Sequence, residues 1–169
     1  SNTDCIQQFT PQLGIFQMHK MIPHHKHLKL DGTGAYLKVN QTEANQLEIT
    51  IATTDDKSFK GVVKKLSTTN FELMIYFFLG FILQGRDNDG NIIGKFLPSD
   101  QYKMMTCDHR LGNSITHRNS EHKSQIKAQW VLASSPDSPL MTSNVTFEAV
   151  VVFHYTKAQK LQLLHNVSF

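Results

Sequence analysis

The sequence predicts an all-β protein, an antiparallel β-sandwich that forms one domain over residues 1–169. Apolar and polar residues alternate with a period of two in several stretches, as they do in half-buried strands. Clusters of turn-forming residues separate these stretches, and no long segment follows the 3.6-residue period of a helix. With 40% hydrophobic and 18% charged residues, the chain is too apolar to be disordered.

The alternating stretches define the predicted strands in chain order. Their inward positions are Ala35, Leu37 and Val39; Leu47, Ile49 and Ile51; Ile126, Ala128 and Trp130; and Val145, Phe147, Ala149, Val151 and Phe153. Residues 71–83 are apolar on both faces, which predicts a central strand. Turns are predicted at residues 31–34, 87–91, 111–113 and 134–139. Residues 156–165 fit a short C-terminal helix, a last strand or a tail.

Several classes of function are disfavoured by what the sequence lacks. The longest apolar run, residues 73–83, is shorter than the roughly 20 residues of a membrane-spanning helix, so no transmembrane segment is expected. No P-loop, GxGxxG, HExxH or G-x-S-x-G motif is present, which predicts a non-enzymatic protein without a cofactor. Asp87 and Asp89 fail the EF-hand spacing and fit an Asx turn better.

Two cysteines and three sequons bear on the cellular compartment. Cys5 and Cys107 lie 102 positions apart without a CxxC pair, so they are either two buried thiols or one disulfide, and not a zinc site. Candidate glycosylation sites are Asn40, Asn144 and Asn166, each in an Asn-x-Ser/Thr sequon. Together these features favour an oxidising, secretory compartment.

A basic segment near the N-terminus is the first candidate binding site. Nine histidines accompany a formal net charge of +3, so the positive charge of the chain rises near pH 6. The candidate ligand-binding residues are Lys20, His24, His25, Lys26, His27 and Lys29. They fit a solvated loop or a contact to a polyanion. Metal binding is weaker, because adjacent residues of an extended strand point opposite ways and Lys26 repels a cation.

A second basic patch is predicted farther along the chain. It comprises Arg110, Arg118, Lys123 and Lys127, interleaved with Asn, Ser and Gln side chains that suit hydrogen bonds to hydroxyls or sulfates. No aromatic residue lies among them, so stacking on single-stranded nucleic acid is not expected. A solvated sheet edge is the alternative interpretation.

The segment Phe78-Leu79-Gly80-Phe81-Ile82-Leu83-Gln84-Gly85-Arg86 resembles the F-x-G-F-x-x-Q-A-R signature of the reeler (reelin N-terminal) family. The family pattern continues in order with Gly94-Lys95-Phe96, Cys107, Thr116-His117, Lys123 and Trp130, and the resemblance is strongest over about residues 78–153. Gly85 stands where alanine is usual, and Phe153-His154-Tyr155 replaces a closing Phe-Trp, which marks a divergent member.

The resemblance implies a secreted, immunoglobulin-like sandwich without a catalytic centre, and it supports a Cys5–Cys107 bridge. It also implies binding of sulfated glycans or microbial surface polymers. We therefore expect a secreted domain that contacts anionic glycans or glycoconjugates through its basic, histidine-rich patches. One alternative is a protein–protein interaction module in adhesion, immunity or host–parasite contact, which would need an exposed apolar patch near Met104-Met105 or residues 161–164. Another is a metal-binding accessory domain built on the histidine cluster.

Overall fold

A computed structural model describes residues 5–6, 34–53, 77–107, 110–132, 144–154 and 157–167. The strands in this part are β1 (Ala35–Glu43), β2 (Gln46–Thr53), β3 (Gly80–Arg86), β4 (Lys95–Phe96), β5 (Lys103–Cys107), β6 (Arg110–Thr116), β7 (Gln125–Val131), β8 (Asn144–His154) and β9 (Lys157–Asn166). They form a four-stranded sheet, β1-β2-β7-β4, and a five-stranded sheet, β5-β6-β3-β8-β9. Every pairing is antiparallel, which confirms the predicted β-sandwich. No helix in the described part is long and apolar enough to cross a membrane.

The main core lies between the two sheets and contains the residues that the alternation predicted to face inward, together with others such as Phe81, Phe96 and Ile115. The fully buried side chains include Leu47, Ile49 and Ile51 of β2, Ala128 and Trp130 of β7, and Phe147, Ala149 and Val151 of β8. The Trp130 and Phe147 rings meet edge to face, with centroids 5.1 Å apart. Because a sandwich buries one face of each strand, the period of two follows directly from the architecture.

Two glycines provide the space that the Trp130 ring occupies. Gly94 has a φ of +75°, and a Cβ atom placed there would lie 2.0 Å from Cζ2 of Trp130. A Cβ atom at Gly85 would lie 3.2 Å from Cζ2 of Trp130 and 3.2 Å from Cε1 of Phe147. Gly94 of the reeler pattern and Gly85, which stands in place of its alanine, thus both face the central tryptophan.

Strand β3 is the middle strand of the five-stranded sheet, hydrogen-bonded to β6 on one side and to β8 on the other. It covers the end of the predicted central strand, with Phe81, Ile82 and Leu83 fully buried. Residues 71–76 of that prediction lie outside the described residues.

The predicted turn at residues 111–113 is wrong, because these residues lie within β6. Thr106 pairs with Leu111 but Met105 pairs with Ser114, so Gly112 and Asn113 form a bulge. Gly112 has a φ of +77°. The buried Asn113 side chain accepts the Cys107 N–H at 3.0 Å and donates to the Cys107 carbonyl. A Gly-Asn pair is suited to a bulge as well as to a turn. Here the Asn113 side chain is hydrogen-bonded to Cys107 of the neighbouring strand β5.

The C-terminal stretch is a strand, so the helix and the tail are excluded among the three interpretations of residues 156–165. Strand β9 pairs with β8 from Asn144↔Asn166 to Val152↔Ala158. Its Gln159 side chain accepts the Ala35 N–H at 2.9 Å, which ties β9 to β1 at one edge of the sandwich. Long-range pairing with β8 outweighs the local helix propensity of this Ala-, Gln-, Lys- and Leu-rich segment.

A second apolar cluster covers the outer face of the five-stranded sheet. It contains Cys5, Ile6, Ile82, Ile92, Cys107, Val150, Val152 and Ala158, with Met105 packed against it. Cys5 and Cys107 form a disulfide with a Cα–Cα distance of 5.7 Å, which confirms the predicted bridge. The bond closes a long loop and stabilises the fold by on the order of 4–5 kcal/mol in the chain-entropy model.

Candidate ligand-binding surface

The predicted basic residues fall into a described and an undescribed group. The N-terminal basic segment, with Lys20, His24, His25, Lys26, His27 and Lys29, lies outside the described residues. Of the second patch, Arg110 begins β6, and the side chains of Arg118, Lys123 and Lys127 are described. Within the described part, no group of three or more His, Cys, Asp or Glu side chains is arranged to hold a metal ion.

Arg118 follows β6 and holds the loop between β4 and β5, residues 97–102. Its Nε donates to the Tyr102 carbonyl at 2.9 Å, and its Nη2 donates to the Ser99 carbonyl at 3.1 Å. These bonds fix the plane of an exposed guanidinium. Arginine carries five N–H donors, so donors remain for a ligand beyond the two that hold the loop.

An open cleft of about 480 Å³ lies beside this arginine. Its lining residues are Pro98, Ser99, Tyr102, Lys103, Met104 and Arg118. The Tyr102 hydroxyl donates to the Leu97 carbonyl, and burial raises the pKa of Tyr102. The cleft therefore combines two cations, Lys103 and Arg118, beside the buried Tyr102.

Lys103 is a cleft residue that the sequence analysis missed. It begins β5 and pairs with Thr116, the residue two before Arg118. Predicting β5 and β6 as a hairpin would have placed Lys103 near Arg118, because an antiparallel pair brings the start of one strand beside the end of the next. The predicted turn at residues 111–113 concealed that register.

Lys123 is engaged with backbone and side-chain oxygens near the start of β3. Its Nζ donates to the carbonyls of Leu79 at 3.0 Å, Asn119 at 2.7 Å and Glu121 at 2.8 Å, and to the Asn119 side chain at 3.3 Å. Desolvation lowers the pKa of Lys123, and the Glu121 carboxylate opposes this effect. The lysine of the reeler pattern thus joins the loop before β7 to the chain entering β3.

His117 packs against Gly80 and Phe81 at the start of β3. Its Nδ1 accepts the Phe81 N–H at 3.1 Å, and a Cβ atom at Gly80 would lie 2.7 Å from its Cε1 atom. Desolvation lowers the pKa of His117, the Phe81 backbone opposes this, and the charges of Lys123 and Lys103 lower it further. The imidazole of His117 therefore occupies the space that a side chain at Gly80 would need, so the glycine and the histidine of the family pattern depend on one another.

The glutamine and arginine of the pattern form a polar network on the outer face of the five-stranded sheet. Arg86 pairs with Glu148 at 3.2 Å and donates to the Gln84 side chain at 2.9 Å and the Gly90 carbonyl at 2.8 Å. Gln162 donates to the same carboxylate at 3.0 Å. This partnership joins β3, β8 and β9, and sequence reasoning had not identified Glu148 as a partner.

Lys127 and Arg118 lie on either side of the β4–β5 loop. Lys127 is exposed on β7, and its backbone N–H donates to the Gln101 side chain at 3.2 Å. Asp100, also exposed, lies next to Gln101 in that loop. Arg118 and Lys127 therefore both contact the β4–β5 loop, whereas Arg110 lies at the opposite end of β6 from Arg118. After the end of β3, Asp87 accepts the N–H groups of Asp89 and Asn91 at 2.9 Å each, which is the predicted Asx turn.

The three predicted glycosylation sites lie on strands. Asn40 is exposed on β1. Asn144 of β8 and Asn166 of β9 are directly opposite one another. Whether they carry glycans stays a prediction.

The family model for the Reeler domain matches residues 67–157. Among curated proteins, ferric-chelate reductase 1 of Bos taurus is 33% identical over 84 residues, which are 46% of this chain and 13% of that protein. A putative ferric-chelate reductase 1 homolog of Drosophila melanogaster is 34% identical over 86 residues, 48% of this chain and 12% of that protein. The matched region is thus about an eighth of the length of these relatives.

Two solved structures share the fold. The Reelin-N domain of F-spondin superposes with a TM-score of 0.54 at 13% identity, covering 81% of this chain and 88% of that one. The human F-spondin reeler domain superposes with a TM-score of 0.50 at 11% identity, covering 78% and 87%. Since the family model covers more than half of the sequence and the signature residues occupy mutually fitted positions, the chain belongs to the reeler domain family.

Proposed function

We propose that this domain is a secreted, non-enzymatic module that binds anionic glycans, with the cleft between Lys103 and Arg118 as one contact site. Reeler domains occur in extracellular proteins, which supports a binding role outside the cell. The observation that carries the proposal is the pair of cations at an open cleft, one of them held in a fixed plane by backbone carbonyls. The remaining N–H groups of a guanidinium fixed in this way can donate to two oxygens of one carboxylate or sulfate group.

The charges around the cleft favour an anion. Lys103, Arg118 and Lys127 are exposed at this edge, and Asp100 and Glu121 are the exposed carboxylates of the adjoining loops. Each exposed cation contributes a screened contact of about 0.2–1 kcal/mol, so binding requires several together. The N-terminal basic segment supplies further lysines and histidines for the same kind of ligand.

Retention on immobilised heparin across a salt gradient, at pH 5.5 and pH 7.5, tests the proposal. We expect elution above physiological salt, and later elution at the lower pH if histidines of the N-terminal basic segment add charge. Lys103→Gln should elute earlier than the native protein. Lys160→Gln removes the same charge from the exposed side of β9 and serves as the matched control. Loss of retention on desulfated heparin would show that sulfate is the recognised group.

Two results would overturn the proposal. One is elution of the native protein in the flow-through at both pH values. The other is retention that falls equally in Lys103→Gln and Lys160→Gln, which would indicate that heparin responds to the net charge of the protein and not to a defined binding site. A Lys26→Gln/Lys29→Gln double variant separates the contribution of the N-terminal basic segment from that of the cleft.

The protein-interaction alternative lacks support from the described surface. Met104 and Met105 are half-buried, one in the cleft and one in the outer apolar cluster. Leu164 is 63% exposed on β9, while Tyr36, the other exposed large apolar residue of the described part, lies on β1 of the opposite sheet. Isolated side chains of this kind are ordinary for a soluble surface. The metal-binding alternative depends on histidines outside the described residues.

A further inference from the structure

The outer face of the four-stranded sheet carries a regular grid of side chains across β1, β2 and β7. The strand register places Tyr36 opposite Ala52 and Lys38 opposite Thr50. The next pairing places Ala52 opposite Gln125 and Thr50 opposite Lys127. Paired residues of antiparallel strands project to the same side, and the intervening Leu37, Ile51 and Ile126 point into the core.

The side chains of this grid form a shallow trough along β2. The central positions are small and covered, since Thr50 and Ala52 are each 6% exposed. The flanking side chains are long and accessible: Tyr36 is 47% exposed, and Lys38, Gln125 and Lys127 are also exposed. We call this feature the β2 trough, with Thr50 and Ala52 as its floor and Tyr36, Lys38, Gln125 and Lys127 as its walls.

The charge of the β2 trough is positive along its length. Lys38 and Lys127 face each other across Thr50, two strand spacings or about 9.5 Å apart at the backbone. Neither ammonium pairs with a carboxylate among the described residues. Glu48 occupies the next row, where Gln129 donates to its carboxylate at 3.1 Å, so the trough is bounded by negative charge at that end.

From this shape and charge we infer that the β2 trough is a second contact surface for an extended anionic glycan. The inference rests on the proposed function and assigns a second contact surface, which shares Lys127 with the edge around the cleft at Arg118. Strand β2 is hydrogen-bonded on both sides, so a peptide cannot add to it as a strand, and recognition must come from side chains. Lysines on both walls suit sulfates or carboxylates, while the Tyr36 ring offers an apolar face with a polar hydroxyl to a sugar ring.

Affinity for a fluorescent heparin octasaccharide tests this inference on the full chain, oxidised and produced without N-glycans so that Asn40 is bare. We expect Lys38→Gln to weaken binding about fivefold, because an exposed ion contact contributes up to ~1 kcal/mol. Tyr36→Ala should also weaken it. Lys160→Gln removes the same charge from an exposed position of β9 on the other sheet, outside the trough, and should change affinity little. Unchanged thermal midpoints establish that each variant is folded.

The possible results distinguish failure of the trough inference from failure of the proposed glycan-binding function. If the native protein binds and Lys38→Gln matches Lys160→Gln, the trough inference is overturned while the glycan proposal and the Lys103 cleft stand. If the native protein does not bind, both are overturned. Poly-glutamate provides the third arm: equal affinity for it, with equal loss in Lys38→Gln and none in Tyr36→Ala, would replace the glycan by an acidic polypeptide.

Discussion

Gly94→Ala should destabilise the fold strongly, because it places a methyl group inside the Trp130 ring. A Cβ atom at Gly94 would lie 2.0 Å from Cζ2 and 2.5 Å from Nε1 of Trp130, a fully buried side chain. The residue also has a φ of +75°, which costs an L-residue roughly 1–2 kcal/mol. Overpacking a core typically adds about 1–3 kcal/mol. The free energy of unfolding should therefore fall by about 2–5 kcal/mol.

Gly90→Ala is the matched control for this prediction. Gly90 has a φ of +85°, but a Cβ atom there meets nothing within 4 Å. This variant carries the backbone cost without the collision, so it should lose only about 1–2 kcal/mol. The difference between the two variants isolates the contact with Trp130.

Urea unfolding followed by tryptophan fluorescence measures both variants. Trp130 is the one tryptophan of the sequence, so the signal reports directly on the site of the collision. Gly94→Ala should show a lower midpoint than Gly90→Ala and an altered native emission spectrum. Equal midpoints with an unchanged native spectrum would refute the packing of Trp130 against Gly94.

Two further predictions concern acid stability and the disulfide. Because the pKa of His117 is lowered in the fold, the unfolded chain takes up a proton first as the pH falls, so the contribution of His117 to stability should be constant above about pH 7 and decrease below the ordinary value near 6.5. Urea midpoints between pH 7.5 and 5 should fall less steeply for His117→Gln, and identical slopes would contradict the assignment. Cys5→Ser/Cys107→Ser should lower the free energy of unfolding by about 4 kcal/mol and make it insensitive to reductant. If reductant leaves the urea midpoint of the native protein unchanged, the disulfide does not contribute to the free energy of unfolding.

Strands β1, β2, β3, β7 and β8 were predictable from the sequence, whereas β4, β5, β6 and the partners of the polar side chains were not, and β9 was one of three interpretations. The alternation at Leu47, Ile49 and Ile51 is imposed by burial of one face, so it can be read locally. The residues around Lys123 are different: its oxygen partners include Leu79, which is far away in sequence and becomes a neighbour only when β3 and the loop before β7 meet. The sequence alone does not distinguish a lysine whose ammonium is hydrogen-bonded within the fold from a lysine that contacts a ligand.

Contacts between residues that are distant in sequence also explain why parts of the proposed binding surface were not predicted. Lys38 and Lys127 face each other only through the register of β1, β2 and β7, and Lys103 approaches Arg118 only through the register of β5 and β6. Each register depends on several pairings at once. One displaced turn, such as that predicted at residues 111–113, is enough to conceal it.

The positions of the signature residues bear on what family membership says about ligands. Arg86 donates to the Gln84 side chain and pairs with Glu148, His117 accepts a backbone N–H, and the Lys123 ammonium donates to several oxygens. These residues are committed to the fold, so the signature predicts the sandwich without naming a ligand. If the domain binds a glycan as proposed, we therefore expect ligand choice to lie with exposed side chains outside the signature, at the cleft, the β2 trough and the N-terminal basic segment. Substituting the exposed lysines should therefore change binding while leaving stability unchanged, and substituting the signature residues should do the reverse.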